Sequence, residues 1–258
     1  MGDQDLRSKA RKAKAGGARE SVAALAGARR HGTAREDVLA ALAALGHEPA
    51  RAVLGVAPAP AAELSKWFEP LAPFATREVT VIAGTAALAS FLPLWDAVQG
   101  EDDRPRRALA AARAWADCPC KEHLDATAAA IVAANEARAK AFDAYRTREN
   151  ELIRARTPRD ERVAIVRAPR AASYVAGHAI SVAELATWHP GSKTWAKVDE
   201  GDLHARVTSI VTGFVHGLGV NAGIAASEAI ARVQTEVVAA VAPVLLALEA
   251  KPPRKRGR

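Results

Sequence analysis

From Val79 to Trp95 the chain reads VTVIAGTAALASFLPLW, seventeen residues without a charge, and it then turns sharply polar through Glu101-Asp102-Asp103-Arg104-Pro105-Arg106-Arg107. A helix that is apolar on every side must be buried on every side, either in protein or in lipid. Seventeen residues rich in Ala, Thr, Gly and Ser make a short and weakly apolar membrane span. The run is therefore expected to be a buried core helix of a soluble, cytoplasmic protein, with no membrane segment. The charged turn then starts a second helix that carries Ala108 to Trp115. Pro105 fits its first turn, where a missing N–H costs nothing, and Asp102 and Asp103 sit at the positive end of its dipole.

Such a helix needs a core around it. Half of the chain is hydrophobic, but only 5% is aromatic, and alanine supplies much of the apolar total. Alanine is the best helix former and buries little area per residue, so the core must come from many closely packed helices. The aromatic and β-branched runs of strands are scarce. The expected fold is all-α, a bundle of about seven to eight helices in a single domain over residues 33–250, flanked by disordered basic tails at 1–32 and 251–258.

The net charge of +7 is uneven. Residues 1–32 hold eight Lys/Arg against three acids, and residues 251–258 hold five Lys/Arg and no acid. That leaves 23 bases against 26 acids between the tails. The body is mildly acidic, which weighs against the fold itself gripping nucleic acid. Two cysteines exclude a disulfide scaffold, and the polar start MGDQDLRSKARKAKAGG has no apolar secretory segment.

Thr33 with Glu36 forms a capping box for a short helix with Val38, Leu39, Leu42 and Leu45 on its face, ending at Gly46. Pro49 starts another short piece. APAPAAE links it to a helix carrying Leu64, Trp67 and Phe68, closed by Pro70 and Pro73. Beyond the charged turn, Lys121 to about Arg156 reads as one long helix with a stripe at Leu124, Ala128, Ile131, Asn135, Ala139, Phe142, Tyr145, Glu149 and Leu152. Thr157-Pro158 breaks it. Helices are then expected at about Pro169–Trp188, Asp199–Leu218 and Ile224–Glu249, with HPGSKTW as a loop and a kink at Pro243.

The segment LPLWDAVQGEDDRPRRALAAARAWA, residues 92–116, resembles the Imm-5-like immunity proteins of bacterial polymorphic toxin systems. In that family an apolar helix ends in an L-P-L-F/W step, an acidic D-x-R-P-R turn follows, and then a helix of the type A-I/L-x-A-x-R-A-W. Leu92-Pro93-Leu94-Trp95, Asp102 or Asp103, Arg104-Pro105-Arg106, Ala108-Leu109, Arg113 and Trp115 match in order. Cys118-Pro119-Cys120 replaces the family's Gly-Glu-Ile/Leu turn. The Ala/His-rich stretch at 171–189 is similar to the family's later helices. The resemblance implies an all-helical, non-enzymatic interaction domain, with 76–190 as the family-like region and a cognate toxin as partner. It makes Asp103, Arg104, Pro105, Arg106, Arg113 and Trp115 candidates for partner contact.

The residues themselves offer little catalytic chemistry. Thr212 to Gly219 spells T-G-x-x-x-G-x-G, the dinucleotide-binding turn of short-chain dehydrogenases, but that turn needs a preceding strand and a βαβ unit. Close helix packing at Gly213 and Gly217, with termination at Gly219, is the better account. Cys118, Cys120 and His123 are weak metal candidates, because one C-x-C beside one histidine leaves a four-coordinate zinc site incomplete. His178 and His189 could share a helical face near Glu184, yet no E-x-x-H or H-E-x-x-H pattern accompanies them. The arginines at 104, 106, 107 and 113 are expected to pair with Glu101, Asp102, Asp103 and Asp117. No cofactor is expected. The expected function is protein binding, with nucleic-acid contact through the two tails as the alternative.

Overall fold

The computed structural model describes residues 35–57, 63–187 and 200–249. Among them are ten α-helices, one 3-10 segment and no strand, so the chain is an all-α helical bundle. The helices are α1 (Arg35–Leu45), α2 (Glu48–Leu54), α3 (Leu64–Phe68), α4 (Arg77–Ala89), α5 (Pro93–Gln99), α6 (Arg104–Asp117), α7 (Lys121–Arg154), α8 (Arg159–Thr187), α9 (Glu200–Ala222) and α10 (Ala226–Glu249), with the 3-10 segment Glu69–Phe74 after α3. The expectations for Thr33, both tails, the middle of the APAPAAE linker, His189 and the HPGSKTW loop fall outside the described residues.

The described residues divide into two compact units: one comprises those of 35–74 and 238–249, the other those of Ala75–Val237. In the first, α1 is buried at every position from Val38 to Leu45. The expected apolar face is present, and alanines on the remaining faces let neighbours close in around it. Gly46 ends the helix with φ 102°, and the Trp67 indole N–H donates to the Leu45 carbonyl at 3.1 Å, satisfying a group the helix end leaves open.

In the second unit α8 packs against α4, α5, α6, α7 and α9. Its buried row is mostly small: Ala171, Ala172, Ser173, Ala176, Ala179 and Ala183 among Val175, Ile180 and Val182. A Cβ at Gly84 of α4 would lie 2.9 Å from Val182 of α8 and 3.0 Å from Val207 of α9. Glycine is what permits that approach. Trp95, fully buried, fills the gap against Ala137, Ala141, Ala172 and Ala176.

Four expectations are corrected. The charge-free run is two helices, α4 and α5, bent by 52°; Pro93 lacks an N–H and its ring would collide with the preceding turn, so the first helix stops. Helix α8 begins at Arg159, ten residues before the expected start, and Pro169 lies inside it. The buried face of α7 runs through Thr127, Ile131, Ala134, Ala137, Ala141, Tyr145 and Leu152. Ala128, Ala139 and Phe142 of the expected stripe are exposed, because closely packed alanines, not the largest residue, define the contact. Finally, α9 passes through Gly219 and ends after Ala222, at Gly223 with φ 73°.

Among the described residues, one segment, Ala226–Ala247 of α10, is long and apolar enough to cross a membrane by length and composition, with 33% of its most apolar window buried in the fold. Its fully buried positions, Ala229, Val233, Val237, Val241 and Leu245, recur every four residues, the stripe of a helix packed along one side.

Candidate functional site

The charged turn is built inward from Trp95. This side chain is fully buried, and its indole N–H donates to the Asp102 carbonyl. The turn is thereby fastened to the core through its backbone, leaving the Asp102 carboxylate for Arg104. Arg104 Nε and Nη2 lie 2.9 and 2.7 Å from the two carboxylate oxygens, and the Arg104 amide donates to Oδ1 at 3.3 Å. These bonds from Arg104 hold the Asp102 carboxyl below its ordinary value. Pro105 is buried at the start of α6.

The other candidate contact residues are paired as well. Asp103 accepts from Arg107 at 2.9 Å, Arg106 pairs with Asp96, and Arg113 with Asp117 at 3.1 Å. The expected internal network therefore forms, with Asp96 in the place foreseen for Glu101. A turn whose arginines are each held by a carboxylate of the same chain sets the angle between α5 and α6. It offers a partner few free charges.

Trp115 is 5% exposed, and the Arg77 guanidinium lies over its ring, 4.3 Å from the centroid, within cation–π range. Arg77 also donates to the Leu185 carbonyl at 3.2 Å and to the Ala186 carbonyl, at the C-terminal end of α8 where a cation is favoured. Burial lowers its pKa from the ordinary arginine value. Sequence reasoning missed this residue. The available signal was a cation in the first turn of α4, the wrong end of its own helix dipole, which points to a partner elsewhere.

Cys118, Cys120 and His123 do come together: their donor atoms lie within 4.8 Å of one another. Cys120 Sγ is 3.3 Å from His123 Nδ1, and the same nitrogen is 3.0 Å from the Cys118 carbonyl. A carbonyl only accepts, so Nδ1 carries the proton in that bond and is not a free ligand. His123 Nε2 keeps its lone pair, but three protein donors still fall one short of a closed four-coordinate zinc site.

The glycine run lies wholly within α9, with no strand before it among the described residues, which removes the dinucleotide turn. A Cβ at Gly217 would overlap the Tyr174 phenol, whereas one at Gly213 would meet nothing within 4 Å. Close packing is thus confined to Gly217. Gly213 contributes its carbonyl, which accepts from the Tyr174 hydroxyl at 2.8 Å. His178 rests against Tyr174 and Phe214, with ring centroids 4.4 and 5.3 Å away, and burial lowers its pKa.

The surface that sequence reasoning overlooked is the tip of the α7–α8 hairpin. Of residues 146–170 only Leu152 and Val166 are buried, and these pack with Tyr145. Ile153, Val163 and Ile165 are 49%, 38% and 41% exposed. The same 25 residues hold eight arginines and four acids. Glu149 and Glu151 pair with Arg146 and Arg148, while Arg154, Arg156, Arg159 and Arg162 form no ion pair among the described residues. A body that averages slightly acidic thus carries a strongly basic arm; charge counted in a 25-residue window would have found it.

No protein-family model, no curated protein and no solved structure matches this chain.

Proposed function

We propose that this chain acts in the cytoplasm by binding a protein partner rather than by catalysis, as expected of the Imm-5-like immunity proteins that its 92–116 segment resembles, with a cognate toxin as the partner. The observation that carries the reading is the 146–170 arm, where Arg154, Arg156, Arg159 and Arg162, without an ion pair among the described residues, accompany exposed Ile153, Val163 and Ile165. Solvent-exposed apolar residues framed by arginine suit a protein interface, since arginine is enriched there. The excess of four positive charges favours an acidic partner surface and speeds its encounter. A stable complex would need roughly 800 Å² from this side.

The test is co-expression with the product of the adjacent gene. Rescue of growth, lost when Arg154 and Arg162 are both changed to Glu, supports the reading. A neighbour that is harmless alone, or equally toxic in the presence of this protein, removes it. The second reading, nucleic-acid binding, is favoured by the same arm and by the two tails, each of net charge +5. It predicts affinity that falls steeply with salt and drops on deletion of 1–32 and 251–258.

A further inference from the structure

Along one side of the α7–α8 hairpin runs a cleft of about 470 Å³, within the size range of small-molecule sites. Arg138, Phe142, Tyr145 and Arg146 line it from α7, and Arg170, Ser173, Tyr174, Gly177 and His178 from α8; no carboxylate does. Arg146 is paired with Glu149 at its edge. Glu184 feels Arg138 through space, but neither Arg138 nor Arg170 makes an ion pair among the described residues. Three guanidinium groups around one concavity repel one another unless an anion sits among them.

The register explains how they converge. In the antiparallel hairpin the stem of Arg138 lies over Gly177, 3.4 Å from where a Cβ would be, so that position 138 faces 177 and position 146 faces 170. The two cationic ends are eight residues apart on α7, about 12 Å at 1.5 Å per residue. Between them stand Phe142, 44% exposed, and the half-buried Tyr174. The Tyr174 hydroxyl is already committed to the Gly213 and Phe214 carbonyls, which fixes the ring and leaves it as an apolar wall.

We propose that this cleft binds a small organic anion with a planar body: Arg170, beside Arg146, holds its phosphate or carboxylate oxygens, Phe142 and Tyr174 flank the planar part, and Arg138 at the far end adds attraction through space. Guanidinium forks suit such oxyanions, and the aromatic walls add the apolar contact that a free inorganic ion would lack. The cleft meets the partner-binding arm only at Arg146 and Arg170, and Arg154, Arg162, Ile153, Val163 and Ile165 do not line it, so either proposal can fail without the other.

The experiment is calorimetric titration of the full chain with phenyl phosphate, benzoate and inorganic phosphate at one fixed ionic strength. Saturable binding of phenyl phosphate or benzoate, at least tenfold tighter than inorganic phosphate, is expected. Arg170→Gln should weaken it about tenfold or more, and Arg138→Gln by a smaller factor. Phe142→Ser, at an exposed position, should weaken the aromatic anions and leave inorganic phosphate unaffected. Absence of saturable binding, equal affinity for all three anions, or unchanged affinity in both arginine variants with native circular dichroism would overturn the assignment.

Discussion

The Tyr174 phenol occupies the space that a side chain at Gly217 would need. The hydroxyl reaches past the missing Cβ to the Gly213 carbonyl at 2.8 Å, and the ring stacks on Phe214 at 5.7 Å. Two glycines one helical turn apart therefore have opposite sensitivities. Gly217→Ala gains helix propensity but must displace a hydrogen-bonded ring, for a net loss of about 1–2 kcal/mol. Gly213→Ala meets open space and should gain up to about 1 kcal/mol. Thermal or urea unfolding of the two variants checks this; equal shifts of the same sign would contradict the packing described.

Arg77 joins three elements through the start of α4, the end of α8 and the Trp115 ring of α6. Arg77→Ala should cost about 2–3 kcal/mol, since it removes charge-assisted hydrogen bonds to buried carbonyls together with the cation–π contact. Arg77→Lys should recover only part of this, because an ammonium cannot serve two carbonyls and an aromatic face with one planar fork. Chemical denaturation midpoints of the three proteins would show the order.

Much of this architecture is legible in the residues. Pro105 and Gly46 mark where a helix begins and ends, the uncharged 79–95 run does lie in the core, and a helix is expected where the buried Val233, Val237 and Val241 lie. What escapes is set by alanine. On α7 nearly every face carries one, so the period that selects Phe142 as buried is no stronger than the one that exposes it. On α8 only Val166 is buried before Pro169, so no apolar rhythm announces the helix from Arg159. The turn at 101–107 is legible as architecture, but the carboxylate each arginine takes depends on the bend at Pro93, which brings Asp96 rather than Glu101 to Arg106. Arg77 and the arginine-lined cleft depend on contacts between residues distant in sequence, and no local spacing encodes them.

The Asp102–Arg104 pair carries a pH signature. A carboxyl whose folded pKa is depressed adds stability above its unfolded pKa and loses that contribution as pH falls through the folded value. Asp102→Asn should therefore be less stable than the parent by up to about 1 kcal/mol near neutrality. The two should converge at strongly acid pH. Unfolding midpoints recorded from pH 7 to pH 2 would reveal the convergence.

His178 acts in a higher window. Burial depresses its pKa, so the unfolded chain takes up a proton first as pH falls below the ordinary value of 6.5. Stability declines from there until the folded value is reached, and then levels off. The hydrogen bond between His178 Nδ1 and the Tyr174 carbonyl, at 3.1 Å, opposes burial only in part. His178→Gln should flatten this part of the stability profile, and a slope unchanged by the substitution would place its origin elsewhere.

The hairpin tip should open by itself. Leu152→Ala removes one of its two buried side chains, and a loss of about 2 kcal/mol should appear as faster amide hydrogen exchange across residues 146–166. Protection in α4 and α9 should stay as it was, since Leu152 packs with Tyr145 and Val166 rather than with those helices.

The row of alanines along α8 gives this fold an unusual mutational asymmetry. A core assembled from bulky side chains is damaged chiefly by truncation, because each large residue lost leaves a cavity. Here Ala172, Ala176, Ala179 and Ala183 have only a methyl group to lose, while all four are fully buried, Ala172 and Ala176 against Trp95, so added methylenes must displace packed neighbours. Drift in this lineage should therefore accept shrinkage at those positions more readily than growth, and an Ala→Val exchange, ordinarily among the mildest of substitutions, should be among the harshest.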